Sequence, residues 1–210
     1  VQKIENDDFS PLIDKALALP AVNIESDATL QTGFHHSTVL SIAPEIIAAV
    51  KEGKIRHFFT IAGCDRPGKG GNYYRELATS LPKDCVILTT SCGKFRFNDV
   101  DFGTVPGTQI PRYIDLGQCN NSISAVKIAL ALAEAFECSV NELPLSIVLS
   151  WFEQKAVAIL LGLFSLGIQN IHIGPVAPEF ITPGVLDVLQ KYFNLQLIDD
   201  AATDMAKMLG

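Results

Sequence analysis

The chain has 210 residues, of which 48% are hydrophobic, and its formal net charge is −7. The length suits one large domain or a piece of a larger protein, and no apolar run reaches the roughly 18 to 20 residues that a membrane-spanning helix needs. The acidic balance and the lack of a basic tract argue against a nucleic-acid partner.

The first 20 residues show no basic region followed by an apolar stretch, so no secretion signal is visible. We therefore expect a cytoplasmic protein without a membrane partner, although the first residues of a fragment would say nothing about targeting. The cysteines are Cys64, Cys85, Cys92, Cys119 and Cys138. Their odd number and wide spacing argue against a disulfide framework. No CxxC pair occurs, which disfavours a zinc finger or a thioredoxin-like site.

Taken in chain order, residues 1–32 are weakly periodic and predict a partly irregular lead-in. A short helix is expected to begin at Ser10 and Pro11, because proline is favoured at the first helical position. Residues 33–210 predict one domain, which opens with a helical stretch ending at Gly53.

Strands and helices alternate through the rest of the chain. The predicted strands lie at 55–62, 85–90, 110–116, 145–150, 170–174 and 195–198. The predicted helices lie at 73–81, 122–136, 156–166, 183–193 and after 201. This alternation predicts an α/β fold, Rossmann-like, with three α/β/α layers around a mostly parallel sheet.

Reactive side chains follow the carboxyl ends of four predicted strands. Cys64, Cys92 and Cys119 each come just after a strand, and Glu153 and Lys155 come just after a fourth. Ligands bind at this edge of an open parallel sheet. We therefore expect three thiols, one carboxylate and one amine at the same rim.

This set of side chains suggests iron–sulfur chemistry. Soft thiolates hold iron in such clusters, and a carboxylate adds a hard ligand, which suggests an iron that carries oxygen as well as sulfur. Spacing alone leaves open that the cysteines reach the strand ends by chance. Cys85 and Cys138 should lie at the opposite end of the sheet, as structural thiols.

Four runs of sequence carry a resemblance to a known family. They are GCD at 63–65, SCGKFRFN at 91–98, DLGQCN at 115–120 and LSWFEQKAVAIL at 149–160. Over residues 33–198 the chain resembles the hybrid cluster protein family, also called prismane protein or hydroxylamine reductase. The fold is shared with carbon monoxide dehydrogenases, but the WFEQKA run is typical of the hybrid cluster group.

The resemblance implies a C-terminal Rossmann-like domain that contributes to a hybrid iron–sulfur–oxygen cluster with four irons. By resemblance, Cys64 matches a ligand that can carry an extra sulfur as a persulfide. Cys92 and Cys119 match two further thiolate ligands. Glu153 matches a carboxylate ligand, and Lys155 matches a lysine beside the open, substrate-facing side, which makes these two the candidate catalytic residues.

The family reduces hydroxylamine to ammonia and water, is linked to nitric oxide reduction and nitrosative stress, and needs a redox partner. Family members are much longer than this chain. Their N-terminal cysteine motif and the histidine, glutamate and cysteine of their middle region are not present here. We therefore expect this chain by itself to hold an absent or incomplete cluster and to be inactive. His35 and His36 are expected to have surface or capping roles, and His57 and His172 to be ordinary strand residues.

A second hypothesis is a non-catalytic Rossmann-like module that binds a nucleotide or a partner protein at its rim. The glycines at 68, 70 and 71 could cradle a phosphate group. However, no GxGxxG follows the first strand, and the loop lacks the spacing of a P-loop.

Overall fold

The computed structural model describes residue 4 and residues 6–22, 29–64, 72–150 and 153–210. It divides into two compact units, residues 1–30 and residues 31–210. In the first unit, the described residues include helix α1 (Ser10–Ala18), which has Pro11 in its first turn and buries none of its side chains. This is the helix that the sequence predicted.

The described residues of the second unit form a six-stranded sheet in which every neighbouring pair is parallel. The strand order is β3-β2-β1-β4-β5-β6. The first strand is therefore central, with β2 and β3 on one side of it and β4, β5 and β6 on the other. The strands are β1 (His57–Gly63), β2 (Cys85–Thr90), β3 (Tyr113–Asp115), β4 (Leu145–Ser150), β5 (Ile171–Gly174) and β6 (Gln196–Leu197).

Helices cover both faces of this sheet. They are α2 (His36–Ser41), α3 (Ala43–Lys51), α4 (Tyr73–Ser80), α5 (Ser122–Ala135), α6 (Gln154–Ser165), α7 (Pro183–Phe193) and α8 (Ala201–Leu209). One face packs on α4 and α8, and the other packs on α2, α3 and α5 and, further along, on α6 and α7. The predicted α/β/α fold is therefore confirmed, and its strands are apolar because helices bury them on both sides.

Two elements differ from their prediction by more than a shift of one or two residues at an end. The opening helical stretch is two helices, which meet at Ile42. Pro44 lies in the first turn of the second helix, where its missing N–H is tolerated, whereas it would break a continuous helix. The third strand is shorter than predicted and lies at the sheet edge, where Pro111 can precede it without costing a ladder bond.

The register brings the carboxyl ends of the central strands to one level. Gly63 at the end of β1 lies beside Ser150 at the end of β4, and Ala62 lies beside Thr90 of β2. The segment after each strand therefore begins at a common rim. The predicted glycine-rich loop around residues 67–71, and Trp151, lie outside the described residues.

Within the described parts of the chain, no helix is both long and apolar enough to cross a membrane.

Candidate metal centre

Four of the five predicted side chains line one cavity at the carboxyl rim of the sheet. Cys64, Cys92, Cys119 and Glu153 all contribute to its wall. Cys64 and Cys119 are half-buried and Cys92 is exposed. The cavity measures about 40 Å³.

Lys155 lies beside this cavity rather than in its wall. It lines an adjoining depression to which Cys119 also contributes. Its Nζ lies 3.5 Å from Oε1 of Glu153, and both side chains are at least half exposed. The carboxylate of Glu153 raises the pKa of Lys155, and the thiols of Cys119 and Cys92 add to the effect. The Lys155 amine therefore stays cationic, and its pKa depends on the charges of the other rim side chains.

The position of Cys64 depends on a close approach of β1 and β4. The N–H of Cys64 donates to the carbonyl of Ser150 at 3.1 Å, and the Ser150 hydroxyl donates back to the carbonyl of Cys64 at 2.7 Å. Gly63, just before the cysteine, has φ +106°, and a Cβ there would lie 1.8 Å from the Ser150 carbonyl oxygen. Only glycine fits at this point, so the sequence Gly63–Cys64 places the thiol directly at the strand end.

Tyr74 stabilises the strand ends at the rim through hydrogen bonds, a role that the sequence did not predict. Its ring is 1% exposed, and its hydroxyl donates to the carbonyls of Leu149 and Gly174, at the ends of two adjacent strands. Burial raises the pKa of this phenol well above its ordinary value. The guanidinium of Arg96 lies over the ring, 5.0 Å from its centroid. No periodicity in the sequence marks this residue, because its partners are 75 and 100 residues away.

The cysteines predicted to be structural lie away from the rim. Cys85 begins β2 and is fully buried, and burial raises the pKa of its thiol to about 11. Cys138 follows α5 and is half-buried. All five cysteines are free thiols.

The histidines behave as expected from their positions. His35 caps α2 by accepting from the N–H of Ser37, which confirms a capping role. His36 Nδ1 lies 3.1 Å from the Ser124 hydroxyl. His57 and His172 lie on strands and line a groove at the amino ends of the strands, away from the three rim cysteines.

No three side chains of histidine, cysteine, aspartate or glutamate within the described residues are arranged to hold a single metal ion. The rim donors are instead spread around the cavity wall. Among the described residues, these donors therefore do not form a site for one metal ion.

Comparison with known proteins gives a consistent result. The model of the Prismane/CO dehydrogenase family matches residues 1–206. A hydroxylamine reductase from Moorella thermoacetica is 58% identical over all 210 residues, which make up 49% of that protein. A hydroxylamine reductase from Geobacter sulfurreducens is 53% identical over the same length, which is 38% of that protein. The chain thus spans about half, or less, of the length of these curated relatives.

Solved structures agree on the fold. A nickel-free carbon monoxide dehydrogenase from Thermococcus sp. AM4 superposes with a TM-score of 0.71 at 20% identity, covering 85% of this chain and 32% of that one. Carbon monoxide dehydrogenase IV from Carboxydothermus hydrogenoformans gives a TM-score of 0.68 at 17% identity, covering 86% and 35%. At these identities the likeness concerns the architecture of the domain.

Proposed function

The chain belongs to the Prismane/CO dehydrogenase family, and we propose that it is the C-terminal part of a longer hydroxylamine reductase. In that protein it supplies one side of the ligand set of a hybrid iron–sulfur–oxygen cluster with four irons. The observation that carries the proposal is the shared cavity of Cys64, Cys92, Cys119 and Glu153. The names of the relatives, hydroxylamine reductase at 58% and 53% identity, support the same reading.

The donor set fits such a cluster. Three sulfurs are soft ligands suited to iron in a sulfide cluster, and one carboxylate is a hard ligand suited to an iron that also binds oxygen. A cluster of several irons needs donors that are spread apart, each on its own metal. These four donors would meet the cluster from one side, so its other side would need ligands from the rest of the protein.

The ligand roles can be assigned residue by residue. Cys64, in the β1–β4 junction, is the candidate for the persulfide-carrying ligand. Cys92 and Cys119, on the loops after β2 and β3, are the candidates for the other thiolate ligands. Glu153, which precedes α6, is the candidate for the carboxylate ligand.

When bound, the cluster would supply two electrons and a Lewis-acidic iron for breaking the N–O bond of hydroxylamine, which with two protons gives ammonia and water. Lys155 stands beside this position as a cation held by Glu153. Its ammonium can donate a hydrogen bond or a proton to the departing hydroxyl oxygen. Once the ammonium has given up a proton, the Glu153 carboxylate can relay one from solvent to the neutral amine, because the two side chains are within reach of each other. Nitric oxide as a second substrate and a separate redox partner belong to the same proposal.

The test uses the complete protein, purified without oxygen and loaded with iron and sulfide. Replacing Cys64, Cys92 or Cys119 with serine should lower the iron content per chain and abolish hydroxylamine turnover. The matched control is Cys138→Ser, at the other end of the sheet, which should leave both unchanged. Full iron content in all three rim variants would overturn the assignment.

The 210-residue chain by itself should show little or no turnover, because one side of the cluster would be open. Robust turnover by this chain would refute the view that it is one part of the catalytic unit. Calorimetric titration with ATP and NAD provides a further check, because tight binding would favour a nucleotide-binding module instead.

A further inference from the structure

A buried ion pair joins the two chain segments that carry Cys92 and Cys119. Lys94 and Asp115 are 3% and 1% exposed, and Nζ of the lysine lies 2.9 Å from Oδ1 of the aspartate. Lys94 belongs to the short 3₁₀ helix Cys92–Arg96, which Cys92 begins. Asp115 is the last residue of β3, and Cys119 opens the next short helix. The pair therefore ties one thiol-bearing segment to the other.

The turn that leads to Cys119 is held at the same point. Asp115 Oδ1 accepts from the N–H of Gly117 at 2.7 Å, and the Lys94 ammonium donates to the carbonyl of Gly117 at 3.3 Å. The N–H of Ser91 donates to that carbonyl as well, at 2.9 Å. Gly117 has φ +98°, a backbone conformation that residues with a side chain rarely adopt. The turn is thus fixed both by its glycine and by the ion pair.

Stability does not account for burying these two charges. Charges removed from water lose hydration that their mutual attraction often fails to restore, and an apolar pair of similar volume frequently stabilises a fold as well or better. Here Oδ2 of Asp115 is buried and has no hydrogen-bond partner in the described part of the chain. The lost hydration of this carboxylate is therefore only partly replaced. What the pair does provide is a fixed geometry between two segments.

We infer that Lys94 and Asp115 are positioning residues that set the separation between the thiols of Cys92 and Cys119. The purpose of this separation rests on the proposed function, since two cluster ligands must meet different irons at defined distances. The separation itself is a property of the metal-free chain. The two thiols line one cavity, and Sγ of Cys92 lies 3.8 Å from Oε1 of Gln118, the residue before Cys119.

The experiment measures how readily the two thiols are bridged in the metal-free 210-residue chain, with the other three cysteines replaced by alanine. The probe is dibromobimane, which becomes fluorescent when it links two thiols. The test variant is Lys94→Met combined with Asp115→Asn, which removes both charges but keeps an oxygen for the N–H of Gly117. The bridging rate is divided by the rate at which iodoacetamide modifies each thiol separately.

A matched control removes an exposed ion pair elsewhere. Arg56 and Asp84 lie 3.3 Å apart with both side chains more than a third exposed, and the control variant is Arg56→Met with Asp84→Asn. We expect the normalised bridging rate to change at least tenfold in the test variant and to stay unchanged in the control. The far-UV circular dichroism spectrum should be the same in both variants.

An unchanged bridging rate in a folded test variant would overturn the inference. If the double variant does not fold, Lys94→Leu combined with Asp115→Asn is measured in the same way, since this pair also leaves no buried charge without a countercharge and keeps an oxygen for the N–H of Gly117, and the same two outcomes decide. The proposed function is judged separately by iron content. If the complete protein binds no iron but the bridging rates are as expected, the proposal of a cluster is refuted. The positioning role of Lys94 and Asp115 is then still supported.

Discussion

Replacing Gly63 with alanine should destabilise the chain more than any other glycine-to-alanine change at the rim. The added Cβ would lie 1.8 Å from the carbonyl oxygen of Ser150 and 2.7 Å from its carbonyl carbon. These atoms belong to the backbone of β4, next to β1 in the centre of the sheet. They cannot rotate away as a side chain would, so the two strands must separate.

Two costs combine at this position. Holding a non-glycine residue at an unfavourable backbone conformation costs about 1–3 kcal/mol, and Gly63 has φ +106°. Forcing an extra carbon into a packed region costs about 1–3 kcal/mol more. We therefore expect the free energy of unfolding to fall by about 4 kcal/mol, a large share of the roughly 5–15 kcal/mol typical of a folded domain.

The matched control is Gly162→Ala in the middle of α6. A Cβ at Gly162 meets no atom within 4 Å, and alanine is a better helix former than glycine by about 1 kcal/mol. This variant should therefore be slightly more stable than the unaltered chain. Urea unfolding followed by far-UV circular dichroism measures both variants. If Gly63→Ala unfolds within about 1 kcal/mol of the unaltered chain, an order-of-magnitude threshold set by ordinary surface substitutions, the close approach of β1 and β4 is wrong.

Three further outcomes are expected. In the complete protein, Lys155→Met should keep its iron and lower kcat for hydroxylamine by about 100-fold, in line with the loss of a proton donor; a normal kcat would remove this lysine from the reaction. Tyr74→Phe should lower the free energy of unfolding by about 1–2 kcal/mol, because the one O–H hydrogen that two strand carbonyls share is lost, whereas Tyr192→Phe, on an exposed ring, should have no effect in the same urea assay. Burial lowers the pKa of His57 to about 4 in the folded chain. As the pH falls, the imidazole is therefore protonated in the unfolded chain before it is protonated in the folded one. The free energy of unfolding should fall as the pH drops below about 6.5 and level off near 4. Allowing for partial exposure, the loss is about 2 kcal/mol, and a stability–pH curve of the same shape in His57→Gln would show that another group is responsible.

The fold could be predicted well where hydrophobic pattern and turn residues agree. The bounds of β2, β4 and α7 coincide with their predictions. The two strands are apolar runs, and α7 begins at a proline and ends before Asn194, so each has clear boundary residues. The stretch before Gly53 was predicted as one helix, since its apolar spacing continues across the break. The proline at position 44 is the local signal that outweighs that spacing.

Part of the candidate site was also accessible from sequence, through a topological rule. Parallel strands end at a common edge, so cysteines placed after separate strands could be assigned to one rim without coordinates. The ion pair and hydrogen bonds that stabilise this rim could not be predicted in the same way. Lys94 meets Asp115 across 21 residues, and Tyr74 meets Gly174 across 100. Such contacts depend on how helices and loops pack over the strand ends, which local patterns do not encode.

The wall of the rim cavity is drawn from residues 64, 92, 119 and 153, each following a different strand. In an unfolded chain these donors are far apart, because long and mobile stretches of backbone separate them. An iron–sulfur group could meet them together only after the central sheet has closed. Loading and folding would then be thermodynamically linked, so that whatever binds this rim raises the melting temperature of the whole sheet.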